Sequence, residues 1–419
     1  MEKLRNLTST QAEAIRDRFG TPIYVYDELT LCHNAEECLH FPNAFGLTVR
    51  YAMKASSNAN LLRLFNRIGL HFDASSGYEC ERALLSGIAP EKISLSSQEL
   101  PKNFAELLEQ GVSLNACSLQ QVEEFGRKMN GGRLGVRMNP GLGSGGTNRT
   151  NTGGPAASFG IWHEWMDKLH ELVEAFDLKV FRLHTHVGSG GDPEVWKRAA
   201  SMSLDLVREL PEVTVLNLGG GFRVSRMESE EKADLNNIGR PVREAFCKLA
   251  NESGRRIHLE IEPGTYLVAN AGSLLATVTD IVSTGEAGFK FLKLDTGMTE
   301  ILRPSLYGAQ HAVVVLSRNS TGRRKNYVVV GHCCESGDLL TPAPGDSELL
   351  EPRELEETTV GDLCVIEGVG AYCSSMPAKN YNSFPEAPEV LIRDSGEAVL
   401  IRKRQTLAQI LENEVMIND

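Results

Sequence analysis

The chain has 419 residues, 23% of them charged and 41% hydrophobic, which is ordinary for globular proteins and sufficient for two domains with sizeable cores. Its net charge of -12 at pH 7 argues against nucleic acid or an anionic membrane as a partner, because neither would be attracted. The nine cysteines include no C-x-x-C pair and no apolar run approaches a signal peptide or membrane span, so the sequence predicts a reduced cytoplasmic protein without a metal site.

The first predicted elements are a short helix and a strand. Thr10 and Glu13 have the spacing of a capping box, which predicts a helix that runs through Arg18 and ends at Gly20. A strand is predicted next, over residues 22–26.

From residue 47, strand-like and helix-like segments alternate. Eight such units predict a (β/α)₈ barrel; a doubly wound open sheet is the alternative, and the count of eight favours closure. The predicted strands cover residues 47–51, 70–73, 92–96, 113–116, 133–138, 179–186, 214–218 and 257–261. Helical periodicity separates most of them, at 60–68, 78–85, 120–129 and 165–176.

A change of composition marks a long loop and then a second domain. Residues 139–160 are rich in Gly, Asn, Thr and Pro and predict a loop that is a candidate lid over the barrel mouth. The predicted bounds are 28–272 for the barrel, and 1–27 with 273–419 for a mainly β domain. Its predicted strands cover 274–283, 290–294, 312–315, 327–330, 362–367 and 390–392, completed by 22–26 and followed by a helix over 404–414.

Polar residues lie at or just past the predicted carboxyl ends of the barrel strands. In a barrel these ends share one face, and that face carries the active site. Contact with solvent explains some polar residues at strand ends, but less easily a lysine, a His-Thr-His and a triple glycine together. The residues at these strand ends are Lys54, Asp73, Arg137, His184, His186, the glycines 219–221 and Glu262.

Each of these residues has a functional and a structural interpretation. A lysine such as Lys54 is costly to bury as an ammonium, which indicates imine formation, although it could also extend to solvent. The glycines at 219–221 could expose N–H groups to a phosphate or form a plain tight turn. Glu262 could hold a pyridine nitrogen protonated or form a structural ion pair, and His186 could cover a planar cofactor or pack in the core.

Ordered motifs extend over both predicted domains. In the barrel they are Tyr51-Ala52-Met53-Lys54-Ala55, Asp73-Ala74-Ser75-Ser76-Gly77, Asn151-Thr152-Gly153-Gly154, His184-Thr185-His186-Val187-Gly188-Ser189, Gly219-Gly220-Gly221-Phe222 and Glu262-Pro263-Gly264. In the second domain they are Asp295-Thr296-Gly297-Met298, Arg303-Pro304-Ser305-Leu306-Tyr307-Gly308, Cys334-Glu335-Ser336-Gly337-Asp338, Gly370-Ala371-Tyr372 and the segment 376–382. In this order the motifs resemble the fold-type III decarboxylases that use pyridoxal 5'-phosphate (PLP). The second-domain motifs narrow the resemblance to the members that act on diaminopimelate.

The resemblance implies an alanine racemase-like fold, PLP as cofactor, and a homodimer with shared active sites. It implies decarboxylation of meso-2,6-diaminopimelate to L-lysine and carbon dioxide, the last step of lysine biosynthesis. In this interpretation Lys54 would hold the cofactor through an imine, His186 would stack on its ring, and Glu262 would pair with the ring nitrogen. Further implied cofactor contacts are Asp73, Ser189, Gly221, Gly264, Thr265 and Tyr372.

The resemblance also implies residues that act on the substrate. Arg303 and Tyr307 would bind a substrate carboxylate, assisted by Glu335 and Tyr372. Cys334 and Glu335 would reach the partner's active site, where the thiol would donate the proton that replaces the carboxylate. A buried structural cysteine is the usual alternative, and the flanking Glu-Ser-Gly-Asp favours the catalytic role.

The chain departs from the family pattern at residue 265, where threonine replaces the usual arginine of Glu-Pro-Gly-Arg. A hydroxyl cannot form the two charged hydrogen bonds of a guanidinium. The replacement therefore removes about 1.5–3 kcal/mol of charge-assisted binding of a substrate carboxylate. Either another basic residue, such as Arg137 or Arg149, compensates, or the substrate is a lysine-, ornithine- or carboxynorspermidine-type amino acid. A non-catalytic PLP-binding homologue is a further alternative, and the intact Lys54 and Cys334 favour catalysis over it.

Overall fold

The computed structural model describes residues 2–143, 153–186 and 190–417. The chain divides into two units, one of Met1–Leu31, Ser225–Glu230 and Val268–Asp419, and the other of Cys32–Val224 and Glu231–Leu267. The domain bounds expected from the sequence differ from these by a few residues and do not include the segment Ser225–Glu230 in the mainly β unit. They stay a prediction.

The chain begins with helix α1 (Ser9–Phe19), strand β1 (Ile23–Asp27) and helix α2 (Glu28–Leu39). Helix α1 has a capping box, but its members are Thr8 and Gln11, so the predicted pair Thr10 and Glu13 is wrong. Residues 8–10 offer three hydroxyl side chains in a row, and glutamine serves at the third helical position as well as glutamate does. The predicted end at Gly20 is confirmed, because this residue caps the helix.

The next strands are parallel and in chain order are β2 (Leu47–Ala52), β3 (His71–Ala74), β4 (Ile93–Leu95), β5 (Ser113–Ala116), β6 (Arg133–Asn139), β7 (Ile161–Trp162), β8 (Lys179–Thr185), β9 (Val215–Asn217) and β10 (His258–Ile261). All except β7 form one ring, which closes where Leu259 of β10 pairs with Leu47 of β2. The predicted eight-stranded barrel is therefore confirmed, and the open-sheet alternative is excluded. Strand β7 pairs only with the end of β6.

The barrel helices follow the strands and begin at polar caps. They are α3 (Ala59–Ile68), α4 (Gly77–Leu85), α5 (Phe104–Gln110), α6 (Leu119–Lys128), α7 (Met166–Ala175), α8 (Pro193–Glu209), α9 (Leu235–Ser253) and the short α10 (Thr265–Val268). A side-chain oxygen caps five of them, which satisfies N–H groups that the first helical turn leaves without a partner. These caps are Asn58, Ser76, Ser118, Asp192 and Asp234.

The predicted loop at 139–160 begins and ends at described residues, whereas residues 144–152 lie outside them. Asn139 connects the two described ends, because its Oδ1 accepts from the N–H groups of Gly141 and Gly154 at 3.1 and 2.8 Å. Its Nδ2 donates to the carbonyl of Gly154 at 2.9 Å. Arg149 and the Asn151-Thr152 motif fall outside the described residues, and the lid over the mouth stays a prediction.

The second unit is mainly β, as predicted. Its strands are β11 (Gly272–Ser283), β12 (Lys290–Leu294), β13 (Val313–Leu316), β14 (Arg324–Val330), β15 (Pro342–Ala343), β16 (Asp346–Leu350), β17 (Arg353–Glu356), β18 (Leu363–Glu367), β19 (Glu389–Ile392) and β20 (Ala398–Arg402), with helices α11 (Arg303–Tyr307) and α12 (Leu407–Leu411). Strand β1 lies between β11 and β19, which confirms that the amino-terminal strand completes this sheet. A core under α1 includes Ile15, Ile23, Leu275, Val365 and Val390.

The sequence missed four strands of this unit: β15, β16, β17 and β20. Strands β16 and β17 have charged and half-exposed residues without a clean alternation, so no apolar pattern marks them. The final helix is also shorter than predicted, since it begins only after its cap Thr406. Among the described residues, no helix has both the length and the hydrophobicity that crossing a membrane requires.

Candidate active site

A buried ion-pair network fills the barrel beneath its carboxyl end. Glu260 of β10 is 3% exposed, and its carboxylate contacts Arg50 Nη2 at 2.8 Å and Arg182 Nε at 3.0 Å. Burial by itself raises the pKa of Glu260, but the two guanidinium charges lower it to about 2. Arg182 Nη1 also donates to the hydroxyl of Ser94 at 3.0 Å. The carboxylate is therefore ionised and holds two buried arginines in place.

Replacing Glu260 by glutamine is expected to lower the free energy of unfolding by about 3–5 kcal/mol, because two buried guanidinium groups would lose their counter-charge. Chemical unfolding of the variant and the wild type measures the difference. Glu252→Gln is the matched control, since Glu252 pairs with Arg208 at 2.8 Å at the surface and its loss should cost at most about 1 kcal/mol. Equal losses in the two variants would contradict the structural role of Glu260.

Asn217, at the end of β9, connects this network to the barrel mouth. Its Nδ2 donates to Glu262 Oε1 at 2.6 Å and to Glu260 Oε2 at 3.3 Å. Its Oδ1 accepts from the N–H of Gly219 at 2.8 Å. One fully buried amide therefore fixes both the Glu262 carboxylate and the start of the glycine turn. The motifs of the sequence did not include this residue, although a polar amide two residues before three glycines was a usable signal.

Glu262 is a buried carboxylate that stays ionised. Its Oε2 lies 3.3 Å from Nε2 of His184, which is itself 1% exposed. Burial by itself raises the pKa of Glu262. The contact with His184 and the charge of Lys54 outweigh burial and hold this pKa well below its usual range. Burial lowers the pKa of His184, so this ring is neutral at pH 7. The negative charge at the barrel mouth therefore resides on Glu262.

The glycine turn determines the position of His186. The N–H of Gly220 donates to His186 Nδ1 at 3.0 Å, so the proton of the neutral ring lies on Nε2. A Cβ on Gly219 would lie 2.0 Å from Nδ1, and one on Gly220 would lie 2.0 Å from the carbonyl oxygen of Glu262. Gly219 also has a φ of +71°, which favours glycine. The turn therefore excludes side chains for steric reasons, and of its three backbone N–H groups only that of Gly221 has no hydrogen bond within the described residues.

Lys54 is at the same end of the barrel. It lies in a single 3₁₀ turn (Met53–Ala55) directly after β2, in which both neighbours are buried and the lysine side chain is exposed. Its charge lowers the pKa of Asp73, Glu262 and His186, so its amine lies within electrostatic reach of all three. Burial and the charge of Glu262 nevertheless raise the pKa of Asp73 well above its usual value.

This end of the barrel fits PLP. Asp73 Oδ1 and His184 Nδ1 are buried atoms without a hydrogen-bond partner among the described residues, as expected where a polar ligand completes the site. An ionised carboxylate fits a protonated pyridine nitrogen, and the unbonded N–H of Gly221 at the glycine turn fits a phosphate. Gly264 packs beside the lysine turn, where a Cβ would lie 3.2 Å from the Cβ atoms of Ala52 and Ala55. Ser189, the predicted phosphate ligand, lies outside the described residues.

The other predicted site residues belong to the mainly β unit. Arg303 and Tyr307 are at opposite ends of α11, with the guanidinium 5.9 Å from the ring centre. Cys334 and Glu335 are exposed on one loop, where the N–H of Cys334 donates to Asn382 Oδ1 at 2.9 Å. Tyr372 has a φ of +57°, a strained conformation for a residue other than glycine and one that is frequent at functional sites.

Buried Asp338 supports the loop that carries Cys334. It is 2% exposed, and its two carboxylate oxygens accept from the N–H groups of Met298 at 2.6 Å and Cys333 at 2.8 Å. A Cβ on Gly297 or on Gly331 would lie 2.2 or 2.1 Å from this carboxylate. The loop is therefore fixed by its own motif residue, which leaves the Cys334 side chain at the surface.

Glu300 is a second buried acid in this unit that the sequence did not reveal. It is 1% exposed, and its Oε2 accepts from the hydroxyls of Thr296 at 2.9 Å and Thr299 at 2.7 Å. Thr299 Oγ1 also lies 2.7 Å from Nε2 of His332, which stacks on Phe384 at 3.6 Å. Burial raises the pKa of Glu300 to about 7 although the threonine hydroxyls oppose it.

This pKa predicts a stability that depends on pH. The folded state holds the Glu300 proton more tightly than the unfolded state between pH 4.5 and about 7, so stability falls as the pH rises through that window. Glu300→Gln is neutral at every pH and should remove the part of the decline that Glu300 causes, gaining about 3 kcal/mol over the wild type above pH 7. Thermal unfolding from pH 5 to 8 measures this, with the exposed Glu351→Gln as control. Parallel wild-type and Glu300→Gln profiles would refute it.

Comparison with known proteins identifies the family. Residues 32–269 match the family described as "Pyridoxal-dependent decarboxylase, pyridoxal binding domain". A diaminopimelate decarboxylase of Streptomyces coelicolor is 36% identical in an alignment of 405 positions that covers 94% of this chain and 90% of that protein. This chain belongs to the diaminopimelate decarboxylase family.

Solved structures of the diaminopimelate decarboxylase family share the fold along almost the entire chain. One diaminopimelate decarboxylase crystal structure superposes with a TM-score of 0.90 at 32% identity and covers 97% of this chain and 96% of that chain. The M. jannaschii enzyme, solved in complex with L-lysine, superposes with a TM-score of 0.86 at 27% identity and covers 97% of this chain and 94% of that chain. The family, the fold and the PLP dependence predicted from the motifs are thus confirmed.

Proposed function

We propose that the chain is a PLP-dependent carboxy-lyase that converts meso-2,6-diaminopimelate to L-lysine and carbon dioxide, the last step of lysine biosynthesis. The observation that carries the proposal is the ionised, buried Glu262 within reach of the Lys54 charge at a glycine turn. The substrate is supported by the 36% identical S. coelicolor enzyme and by the L-lysine bound to the M. jannaschii relative.

The barrel residues would bind and tune the cofactor. PLP supplies an electron sink that accepts the electron pair of the breaking carbon–carboxylate bond. Lys54 is the amine to which the cofactor would attach, and Glu262, held by Asn217, would keep the ring nitrogen protonated. His186, positioned by Gly220, would pack on the ring face. Buried Asp73, whose Oδ1 has no described partner, would donate to a polar group of the cofactor.

The phosphate would bind to backbone N–H groups at Gly221, Gly264 and Thr265 and to the hydroxyl of Ser189, with Tyr372 completing the cofactor site. Gly221 has a φ of +95° in the open turn, which fits a backbone that presents its N–H group to an anion. Gly264 lies three residues after the end of β10, and Thr265 is the first residue of α10. The role of Ser189 as a phosphate ligand is supported only by its place in the family motif.

The mainly β unit would supply the residues that act on the substrate. Arg303 and Tyr307 would bind a substrate carboxylate, and Glu335 would bind the distal amino group. Cys334 would donate a proton to the substrate carbon that has lost its carboxylate; its exposed position suits a residue that acts in the partner's site. The proposal therefore includes a homodimer with shared active sites, located in the cytoplasm.

Carbon dioxide release by purified protein with added PLP tests the proposal. Release from meso-diaminopimelate should exceed release from D-lysine, L-lysine and L-ornithine. Threonine at position 265 is the one feature that favours a rival substrate, and preferential release from lysine or ornithine would establish that rival. Absence of release from every substrate, with PLP bound, would establish a non-catalytic homologue.

A further inference from the structure

Arg226 lies in the segment Ser225–Glu230, which belongs to the mainly β unit. Its Nε donates to the carbonyl of Gly368 at 3.1 Å, and a Cβ on Gly368 would lie 3.1 Å from its Cγ. Asn270 Nδ2 and Arg5 Nη1 donate to the carbonyl of Ser225 at 3.0 and 2.7 Å. The position of this guanidinium is therefore set by the surrounding backbone.

The positive charges of Arg226 and Arg303 affect the same neighbouring side chains. Burial lowers the pKa of Arg226 to about 9, and the charge of Arg303 contributes to that shift. Both guanidinium charges also lower the pKa of His311 and oppose the burial that raises the pKa of Cys373. The two guanidinium groups thus lie within electrostatic reach of each other, and their mutual repulsion would be relieved by a bound anion.

No carboxylate among the described residues forms an ion pair with either arginine. Glu230 lies four residues after Arg226, but its Oε2 accepts from the backbone N–H groups of Arg226 and Met227 at 2.6 and 3.1 Å. His311 is neutral, since burial and the two arginines lower its pKa and its Nδ1 bonds to the carbonyl of Glu367 at 3.0 Å. The charge of Glu230 acts on Arg226 without a side-chain ion pair, so the pair of guanidinium groups lacks a carboxylate in direct contact among the described residues.

Several hydrogen-bond donors of this cluster have no partner. Arg226 Nη2, Arg303 Nε and Ser305 Oγ are buried atoms that make no hydrogen bond within the part of the chain that the structure describes. A buried polar atom without a partner is unusual in a native protein and commonly marks a ligand site. A carboxylate suits such a site, because its two oxygens can accept hydrogen bonds from the guanidinium groups and the hydroxyl and its negative charge offsets theirs.

We propose that Arg226 and Arg303 together bind the substrate carboxylate that is not removed, which makes Arg226 a specificity-determining residue. The proposal rests on the proposed function, since meso-diaminopimelate differs from D-lysine by that one carboxylate. The cofactor phosphate is the other oxyanion that the pair could hold. The carboxylate is favoured because the N–H of Gly221 at the glycine turn already offers a donor for a phosphate, and because Arg226 and Arg303 lie in the unit that carries Tyr307 and Glu335.

The test compares wild type, Arg226→Gln, Arg226→Lys and Arg223→Gln as holoenzymes. Arg223 is exposed three residues earlier and serves as the matched control. In Arg226→Gln, the ratio of kcat/KM for meso-diaminopimelate to that for D-lysine should fall about 10- to 100-fold. Arg226→Lys should recover part of the ratio, because it keeps the charge but not the bidentate geometry. Arg223→Gln should keep the wild-type ratio.

Calorimetry supplies a measurement that does not depend on turnover. L-lysine carries one carboxylate that cadaverine lacks, so Arg226→Gln should bind L-lysine about 10-fold or more weakly and cadaverine unchanged. An unchanged substrate ratio would overturn the proposal, as would a weakened affinity for PLP alone, which would assign the pair to the phosphate. Failure of the wild type itself to act on meso-diaminopimelate would instead refute the proposed function, so the two failures are distinguishable.

Discussion

Lys54→Ala is expected to lose carbon dioxide release from meso-diaminopimelate, with a decrease in kcat of at least roughly 10⁴-fold. The amine is the only group of its kind that the 3₁₀ turn Met53–Ala55 presents, and its charge reaches Asp73, Glu262 and His186. An alanine can neither attach the cofactor nor be displaced by the substrate amine. The measurement is carbon dioxide release at saturating substrate and PLP.

Two controls separate chemistry from folding in this prediction. Lys54→Arg keeps the positive charge beside Glu262 but cannot form an imine, so it should be as inactive as the alanine variant while its thermal stability stays near that of the wild type. Borohydride reduction followed by peptide mass analysis should attach the cofactor to Lys54 in the wild type and to neither variant. Turnover by either variant near the wild-type rate would show that another amine is used.

The sequence was sufficient for the barrel because its signals are local and repeated. Strand-like runs alternate with helix-like segments, five of the barrel helices begin at a side-chain cap, and the eight units close a ring that Leu259 and Leu47 complete. The wrong capping pair, Thr10 and Glu13 in place of Thr8 and Gln11, shows the limit of local signals. Several neighbouring hydroxyls satisfy the same pattern, and only the fold selects one of them.

The candidate site was predictable only where a motif exists. Lys54, His186 and Glu262 follow strands within motifs, and the structure brings their charges within reach of one another. Asn217 and Arg226 have no motif, because their significance comes from partners far away in sequence. Asn217 depends on carboxylates 43 and 45 residues later, and Arg226 on a carbonyl 142 residues later. Single-sequence periodicity contains no information about such pairs.

The barrel network explains why two glutamates that are two residues apart have different roles, one structural and one in the proposed chemistry. Glu260 and Glu262 both lie on β10 or directly after it, but Arg50 and Arg182 neutralise only the first. Glu262 has a neutral histidine and an amide as its close neighbours, so its negative charge has no guanidinium partner among the described residues. A carboxylate in that position is free to attract a proton on a ring nitrogen.

Glu262→Gln is accordingly expected to lower kcat roughly 100- to 1,000-fold while PLP stays bound. Glutamine can keep one hydrogen bond to Asn217 but carries no charge, so the ring nitrogen would lose the partner that keeps it protonated and the electron sink would weaken. The reduced kcat should be accompanied by a cofactor absorbance spectrum that differs from that of the wild type, measured across pH 6 to 9.

Glu106→Gln, which removes a charge from an exposed position of α5, is the matched control and should keep the wild-type kcat and spectrum. Glu260→Gln offers a second comparison, because it should lower stability through the two arginines more than it lowers kcat. If Glu262→Gln retained a kcat within about threefold of the wild type with full PLP occupancy, the ring nitrogen would not depend on this carboxylate. Glu262 would then have a structural role like that of Glu260, and it would not be the residue that keeps the cofactor ring protonated.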